Sequence, residues 1–436
     1  MKNSLKISRR NLLLSGAGMG VLGLFPSLKA RGNTSINRLV VVRAFGGWDV
    51  TYCMDPRLTT SLVDGPDLDI NGNAESIEKY GSSTGNGGID IMINNAKRPS
   101  VDTFFSSNAA NTIVVNGIYT GSIVHQDCEY RILTGTRGKT SPDIGTIACV
   151  THGDPYALPY LDLTGGAMVG EYAAMTGQLG RNNQIIGLLN RGIPIPGPQG
   201  SGISYPIYNP GDTQQAAINS YLEYRRSQFG QSGHNALNSL ARLDSLDEAV
   251  SRKLDLIDSS SLLLDNLSFG SSSSLADQAE LAAIAMEAGL SHSVALQVGG
   301  WDTHDNISEQ HDLYEELFIG LNALVAQLQS RGLYQDTMIV VLSEMTRTPR
   351  RNADGGKDHW SSTSAMLIGG AVDGGKVIGA TNSALEPVGI DLNTGEPDSS
   401  ASPLSYDQFT AGILHSIGAD TEEWLPNVEV LHGIID

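Results

Sequence analysis

The sequence predicts an α/β protein with a doubly wound, mostly parallel sheet flanked by helices. Apolar runs at 38–45, 293–298 and 337–342 are typical of buried strands. Longer segments at 275–289 and 308–331 carry apolar residues at helical spacing. Strands that alternate with long helices usually build parallel sheets with helices on both faces.

The other elements follow from shorter patterns. A further buried strand is predicted at 111–116, between helices at 100–108 and 122–134, whereas the polar stretch 56–95 is expected to cross the surface. Residues 155–275 differ in composition and contain a Pro/Gly-rich stretch at 193–202. We therefore expect one domain over 31–436 with a mostly helical insertion at about 155–275.

The first 30 residues are typical of a twin-arginine export signal. Basic residues and the pair Arg9-Arg10 precede an apolar stretch that is shorter than a typical transmembrane helix. A permanent N-terminal anchor is the alternative. The signal predicts a periplasmic or secreted protein with no stable membrane span after cleavage, since no later run is long enough to cross a bilayer.

The charge of the chain excludes some partners. The 436 residues carry a net charge of −19, and 40% of them are hydrophobic, enough for a substantial core. The predicted signal holds five of the 28 basic residues and none of the 47 acidic ones, so the remainder carries −24. So acidic a protein is not expected to bind nucleic acid or anionic lipid.

Cysteines are too few for a disulfide framework. Cys53, Cys128 and Cys149 all lie in the first third of the chain. One bridge in an oxidising periplasm and three buried thiols both remain open.

The tetrapeptide Gly-Gly-Trp-Asp occurs twice, each time directly after a predicted strand. The first copy ends in Asp49, and the second ends in Asp302 and is followed by Thr303-His304. Ligands of open parallel sheets gather outside the carboxyl ends of the strands, so the two copies predict a metal site. The alternative is a recurrent turn in which Trp packs on the sheet and Asp caps a helix.

Further acidic and histidine residues follow later strands. Glu344 comes directly after the predicted strand 337–342, and Asp358-His359 precedes another apolar stretch. Carboxylates and imidazoles suit zinc, manganese or iron, and the set is large enough for one or two divalent ions. The candidate metal ligands are Asp49, Asp302, His304, Glu344, Asp358 and His359.

Three further residues are candidates for catalysis. Ser122, at the start of a predicted helix, is a candidate nucleophile, and His125 lies one turn later. Arg347 is followed by Arg350 and Arg351, and guanidinium groups near a metal suit phosphate, sulfate or carboxylate. The alternatives are a helix N-cap for Ser122, a packed and hydrogen-bonded His125, and solvated surface arginines.

Three motifs give the C-terminal half a family resemblance. Gly-Gly-Trp-Asp-Thr-His (299–304), Ser-Glu-Met-Thr-Arg-Thr-Pro (343–349) and Gly-Gly-Lys-Asp-His-Trp (355–360) closely resemble the bacterial family called domain of unknown function 1501. That family in turn resembles the alkaline phosphatase and sulfatase superfamily, which binds paired divalent metals at strand ends. The resemblance implies an alkaline-phosphatase-like fold. It makes Asp49 an early bridging ligand, Asp302 and His304 middle ligands, Glu344 and His359 late ligands, and Ser122 the nucleophile.

The chain also departs from these patterns. Met345-Thr346 stand where the family usually has Phe-Gly, and Ser122-Ile-Val-His125 replaces the usual Ser-His pair. Cys53-Met-Asp-Pro-Arg57 does not match the Cys-x-Pro-x-Arg sequence from which sulfatases make formylglycine, so that mechanism is not expected.

The sequence therefore supports two functions. The first is an exported metal-dependent hydrolase that acts on a small phosphate or sulfate ester. The alternative is a non-catalytic exported protein that retains the hydrolase fold and binds or assembles other envelope proteins.

Overall fold

A sheet built around the strand before the first Gly-Gly-Trp-Asp turn forms the centre of the computed structural model. The structure describes residues 36–66, 75–82, 85, 87–153, 156, 158–178 and 274–434, with isolated residues between 195 and 224. The strands in this part of the chain are β1 (Arg38–Arg43), β2 (Ser76–Tyr80), β3 (Ile89–Ile93), β4 (Thr112–Tyr119), β5 (Tyr160–Asp162), β6 (Thr176–Gln178), β7 (Ile195–Pro196), β8 (Ser204–Tyr205), β9 (Ser293–Gln297), β10 (Thr337–Leu342), β11 (Thr346–Arg347), β12 (His359–Trp360), β13 (Ser362–Ile368) and β14 (Lys376–Ile378).

Eight of these strands form the main sheet, in the order β14-β4-β13-β10-β1-β9-β5-β6. β1 is parallel to both neighbours, with Val41 opposite Val340 of β10 and Ala295 of β9. β13 runs antiparallel to β10 and β4 because no helix separates it from β10, so the chain returns without a crossover. The predicted mostly parallel sheet is confirmed.

Helices cover both faces of the sheet. Along β1, Val40 and Val42 pack into one hydrophobic core, whereas Leu39 and Val41 pack into another. The described helices are α1 (Pro99–Asn108), α2 (His125–Thr134), α3 (Ile144–His152), α4 (Leu275–Glu287), α5 (Gln310–Ser330), α6 (Tyr406–Ser416) and α7 (Thr421–Trp424). The first core contains side chains from α1, α4 and α5, and the second contains side chains from α2, α3 and α6. The doubly wound arrangement is therefore confirmed.

The start of α2 differs from the prediction. The helix begins at His125 rather than near residue 122, and Val124 is its N-cap residue, with no side-chain capping bond. Its end agrees, because Gly135 takes the left-handed conformation (φ 67°) that ends a helix and favours glycine.

The boundary of the predicted insertion also changes. β5 and β6 belong to the main sheet, so the sheet extends into the segment 155–275. Most of the remaining segment, 179–273, lies outside the described residues, as does the predicted export signal at 1–30. Ser35–Asp436 forms one compact unit. Within the described ranges, no helix is both long and apolar enough to span a membrane.

All three cysteines are free thiols in the structure. Cys53, Cys128 and Cys149 are each buried. Burial raises the pKa of the Cys53 thiol to about 12, so this side chain stays protonated at neutral pH.

Candidate metal centre

The two Gly-Gly-Trp-Asp turns pack directly on each other at one edge of the sheet. They follow β1 and β9, which are paired strands, and Glu344 follows β10 on the other side of β1. Gly46 has a φ of +119°, and a Cβ there would lie 2.7 Å from the Asp302 backbone nitrogen. The Gly46 N–H donates to both Glu344 carboxylate oxygens, at 2.9 and 3.2 Å. Glycine is therefore required sterically where the three strand ends meet.

Three imidazoles surround one oxygen of Asp302 at this edge. Asp302 Oδ1 lies 3.4 Å from His125 Nε2, 3.3 Å from His359 Nε2 and 3.0 Å from His304 Nδ1. The His125 and His359 rings are 4.3 Å apart, and the His304 and His359 rings are 4.7 Å apart. The Asp302 side chain is 51% exposed, so the cluster is open to solvent.

Hydrogen bonds behind the cluster fix the orientation of two of these rings. His125 Nδ1 donates to the buried Glu344 carboxylate at 2.5 Å, and His359 Nδ1 donates to the Ile123 carbonyl at 2.8 Å. In a neutral ring with its proton on Nδ1, each Nε2 atom is free to act as a metal ligand beside Asp302. A buried carboxylate behind a ligating imidazole is a common arrangement in metal sites.

Neighbouring charges and hydrogen bonds shift the pKa values of two members of the cluster, His125 and Asp302. The hydrogen bond to Glu344 raises the pKa of His125 against the opposing effect of burial, with help from the charges of Glu344 and Asp302. Burial pushes the pKa of Asp302 upward, but Arg347, His304 and His359 outweigh it and leave that pKa below its usual value. Asp302 is therefore ionised at neutral pH and attracts a cation or a proton to the cluster.

His125, Asp302 and His359 fit a divalent metal ion. Their ligand atoms all lie within 4.8 Å of one another, and His125 Nε2 is buried without a hydrogen-bond partner among the described residues. Tetrahedral ligands at about 2.1 Å from zinc stand about 3.4 Å apart, which matches the 3.3 and 3.4 Å separations from Asp302 Oδ1. His304 and Glu344 border this group, Glu344 through His125.

Asp49, the first expected ligand, lies in a separate buried ion pair. Its Oδ2 is 2.6 Å from Lys357 Nζ, and neither side chain is exposed. Its Oδ1 accepts from Thr51 N at 3.0 Å and Thr51 Oγ1 at 2.7 Å, so Asp49 caps a short helical turn, Val50–Tyr52. Trp48 and Trp301 meet edge to face, 6.2 Å apart. The first Gly-Gly-Trp-Asp copy therefore has the features of a structural turn, in which Trp packs and Asp caps a helix, which was the alternative to a metal site.

Asp358 and Ser122 also stand apart from the three-residue group. Asp358 is exposed, and its Oδ1 accepts from Asn352 Nδ2 at 3.1 Å. Ser122 Oγ accepts the Val124 N–H at 3.2 Å, three residues before the helix begins, so it is not the N-cap of α2. The described contacts therefore give neither residue a direct link to Asp302.

Arg347 reaches the site but is saturated by internal bonds. Its Nε donates to the Gly47 carbonyl at 2.8 Å, and its two terminal nitrogens donate to the carbonyls of Lys357, Trp301 and Gly46 and to Asp302 Oδ1. The side chain is fully buried. Arg347 therefore holds the turns and Asp302 in place, and its donors are not available to an anion.

The other two arginines of this loop both contact Asp64. Arg350 is more than half exposed and pairs with Asp64 at 3.4 Å. The Arg351 backbone N–H also donates to Asp64, at 2.9 Å. These contacts are those of a surface loop.

A family model covers nearly all of the chain after the predicted signal. Residues 38–430 match the model described as protein of unknown function (DUF1501). The chain belongs to the DUF1501 family. The family predicted from the motifs is therefore confirmed.

The DUF1501 chain also resembles several solved structures remotely. The PsFucS1 sulfatase from Pseudoalteromonas sp. is 11% identical, with a TM-score of 0.38 over 89% of this chain and 69% of that one. A protein in the alkaline phosphatase superfamily from Vibrio parahaemolyticus is 9% identical, with a TM-score of 0.39 over 92% and 70%. The C-terminal periplasmic domain of EcEptC from Escherichia coli, in complex with Zn, is 9% identical, with a TM-score of 0.37 over 92% and 87%. No curated protein matches the sequence.

Two features of this DUF1501 site were not predicted from the sequence. One is the role of Lys357, which stands in the 355–360 motif but had no function assigned to it. The other is the Ile123 carbonyl that orients His359. A buried lysine needs a carboxylate partner, but the burial of Lys357 and its pairing with Asp49 are visible only in the folded structure.

Proposed function

We propose that this DUF1501 protein is an exported, metal-dependent hydrolase of phosphate or sulfate esters. The observation that carries the proposal is the convergence of His125 Nε2, His359 Nε2 and Asp302 Oδ1, with both Nδ1 atoms engaged behind them. Two imidazoles and a carboxylate suit zinc or manganese. Three protein ligands leave a coordination position open, which is typical of catalytic rather than structural sites.

The chemistry divides between the ion and the protein. A divalent ion bound there supplies Lewis-acid stabilisation of the negative charge that develops on the ester during hydrolysis. His125, His359 and Asp302 hold that ion, and Glu344 keeps the His125 lone pair directed at it. His304, more than a third exposed and beside Asp302, would donate a proton to the leaving oxygen as the ester bond breaks.

The attacking group is either water or Ser122. Ser122 Oγ is held by the Val124 N–H, in the short segment that leads into His125. Attack by water transfers the phosphoryl or sulfuryl group directly, whereas attack by Ser122 would form an ester on the protein that water then cleaves.

Substrate and location follow from charge and from the N-terminus. With a net charge of −24 after removal of residues 1–30, the protein repels polyanions. We therefore propose a small anionic ester as substrate, and action in the periplasm or outside the cell after export by the twin-arginine route.

One observation favours a second function. Arg347 donates all its hydrogen bonds within the protein, so this guanidinium provides no docking point for a phosphate or sulfate. The rival proposal is an exported, non-catalytic protein that retains the fold and binds or assembles with another envelope protein.

Metal analysis of the full chain purified without chelators tests the proposal. We expect a bound divalent ion, lost on Asp302→Asn or His125→Gln but kept on Asp305→Asn, an exposed acid three residues away. Aryl phosphate and aryl sulfate esters then serve as substrates. Turnover that falls with the metal supports the hydrolase, whereas folded protein without metal or turnover supports the rival.

Ser122→Ala separates the two attacking groups. Loss of turnover with the metal retained indicates a serine nucleophile, and retained turnover indicates water.

A further inference from the structure

The buried pair of Asp49 and Lys357 bears on how many metal ions the site can hold. We propose that the Lys357 ammonium takes the position of a cation at Asp49, so that the chain binds one divalent ion, at His125, Asp302 and His359, and not two. The inference rests on the proposed metal site and deepens it.

The Asp49 carboxylate already has its partners. Oδ2 lies 2.6 Å from Lys357 Nζ, and Oδ1 accepts two hydrogen bonds from Thr51. Apart from the ion pair, neither Asp49 Oδ2 nor Lys357 Nζ has a hydrogen-bond partner among the described residues. A metal ion at Asp49 would therefore have to displace the ammonium group and leave it buried without a counter-charge.

The backbone around Lys357 keeps the ammonium in place. Its N–H donates to the Thr303 carbonyl at 3.4 Å, and its carbonyl accepts from Arg347 at 3.0 Å. A Cβ on the preceding Gly356 would lie 1.9 Å from the His304 carbonyl oxygen, so this loop is packed directly against the metal-centre turn. The Lys357 side chain is also fully buried.

The arrangement of ligands agrees with a single ion. Within the described ranges, His125, Asp302 and His359 are the group whose atoms are close enough to share one ion. A second divalent ion would need about three protein ligands of its own. Asp49 and Lys357 together form a neutral pair, whereas Asp49 alone would present an uncompensated charge at the end of β1.

Metal stoichiometry is the direct test, and it does not depend on turnover. The full chain is saturated with Zn²⁺, and separately with Mn²⁺, then freed of unbound ion and measured by elemental analysis and by calorimetric titration. We expect one ion per chain for the wild type and for Asp49→Asn, and at least a tenfold loss of affinity for Asp302→Asn.

A double variant separates an effect on metal binding from a loss of the fold. Because Asp49→Asn leaves Lys357 buried without a carboxylate, Asp49→Leu combined with Lys357→Met replaces the pair by apolar side chains, and circular dichroism checks its fold. We expect the double variant to bind one ion with an affinity within threefold of wild type.

The outcomes separate this inference from the proposed function. Two ions per wild-type chain, or loss of the ion from the folded double variant, overturns the single-ion inference and leaves a metal-dependent function standing. A folded wild type that binds no ion overturns both.

Discussion

Glu344→Gln tests whether a buried carboxylate behind His125 controls metal affinity. Glu344 Oε1 accepts from His125 Nδ1 at 2.5 Å and from Gly46 N at 2.9 Å, and Oε2 accepts from Ser343 Oγ at 3.0 Å. The glutamine carbonyl can accept the first two bonds, and its NH2 group faces a hydroxyl that can turn to accept, so only the longer contact from Gly46 N to Oε2, at 3.2 Å, is lost. The variant therefore keeps the shape and removes the negative charge.

The expected loss of affinity follows from that charge. Removing a carboxylate that supports a ligating imidazole typically costs about 10- to 100-fold in metal affinity, or roughly 1.4–2.7 kcal/mol. Glu344 also raises the pKa of His125, so the variant suffers less competition from protons. Repeating the measurement at increasing pH above 8 reduces this opposing effect, because His125 loses its proton progressively as the pH rises.

The assay is competition for Zn²⁺ against a chromophoric chelator. Thermal unfolding confirms that the variant is folded, and Glu316→Gln, an exposed position on α5, is the matched control and should bind like the wild type. A folded Glu344→Gln protein that binds Zn²⁺ within threefold of wild type would refute the role assigned to Glu344.

Three further predictions concern buried ionisable side chains. Lys357→Met leaves Asp49 unpaired and should lower the free energy of unfolding by about 3–5 kcal/mol. Adding Asp49→Leu should restore much of this loss. Equal stability of the single and double variants in urea titrations would contradict this prediction. Burial, with the charges of His152 and Arg38, lowers the pKa of His292 to about 3, so its protonation favours the unfolded chain. The stability it contributes is complete above about pH 7 and falls as the pH drops, by about 2 kcal/mol at pH 5, and His292→Asn should flatten this slope in unfolding measured across that range. Arg347→Lys leaves several buried carbonyls without donors and should lower the free energy of unfolding by at least about 3 kcal/mol. It should also lower the affinity for Zn²⁺. Unchanged Zn²⁺ binding would show that Arg347 does not position Asp302.

The central fold was predictable because its signals are local. The apolar run at 337–342 coincides with β10, and the runs before the two Gly-Gly turns ended within two residues of β1 and β9. Burial on both faces explains why these strands are apolar throughout rather than alternating. The antiparallel direction of β13 was not predicted, because it depends on the path of the chain after β10 and not on residues in the strand.

The different roles of the two aspartates could not be predicted from the local sequence pattern. Asp49 and Asp302 stand in identical tetrapeptides after paired strands, yet one side chain is fully buried and the other is half exposed. Distant residues decide the difference, since Lys357 holds Asp49 inward and Arg347 holds Asp302 at the surface. Neither basic residue lies within 50 positions of Asp49, so sequence spacing gives no sign of which carboxylate each will meet.

Charge pairing distinguishes the three carboxylates Asp49, Asp302 and Glu344. Asp49 pairs with Lys357, and Asp302 pairs with Arg347. Glu344 is matched by His125, whose charge can change near neutral pH. A divalent ion at His125 would therefore compete with a proton rather than with a lysine or arginine. The same carboxylate that stabilises protonated His125 would also stabilise the ion, which makes Glu344 the residue where proton and metal affinity are linked.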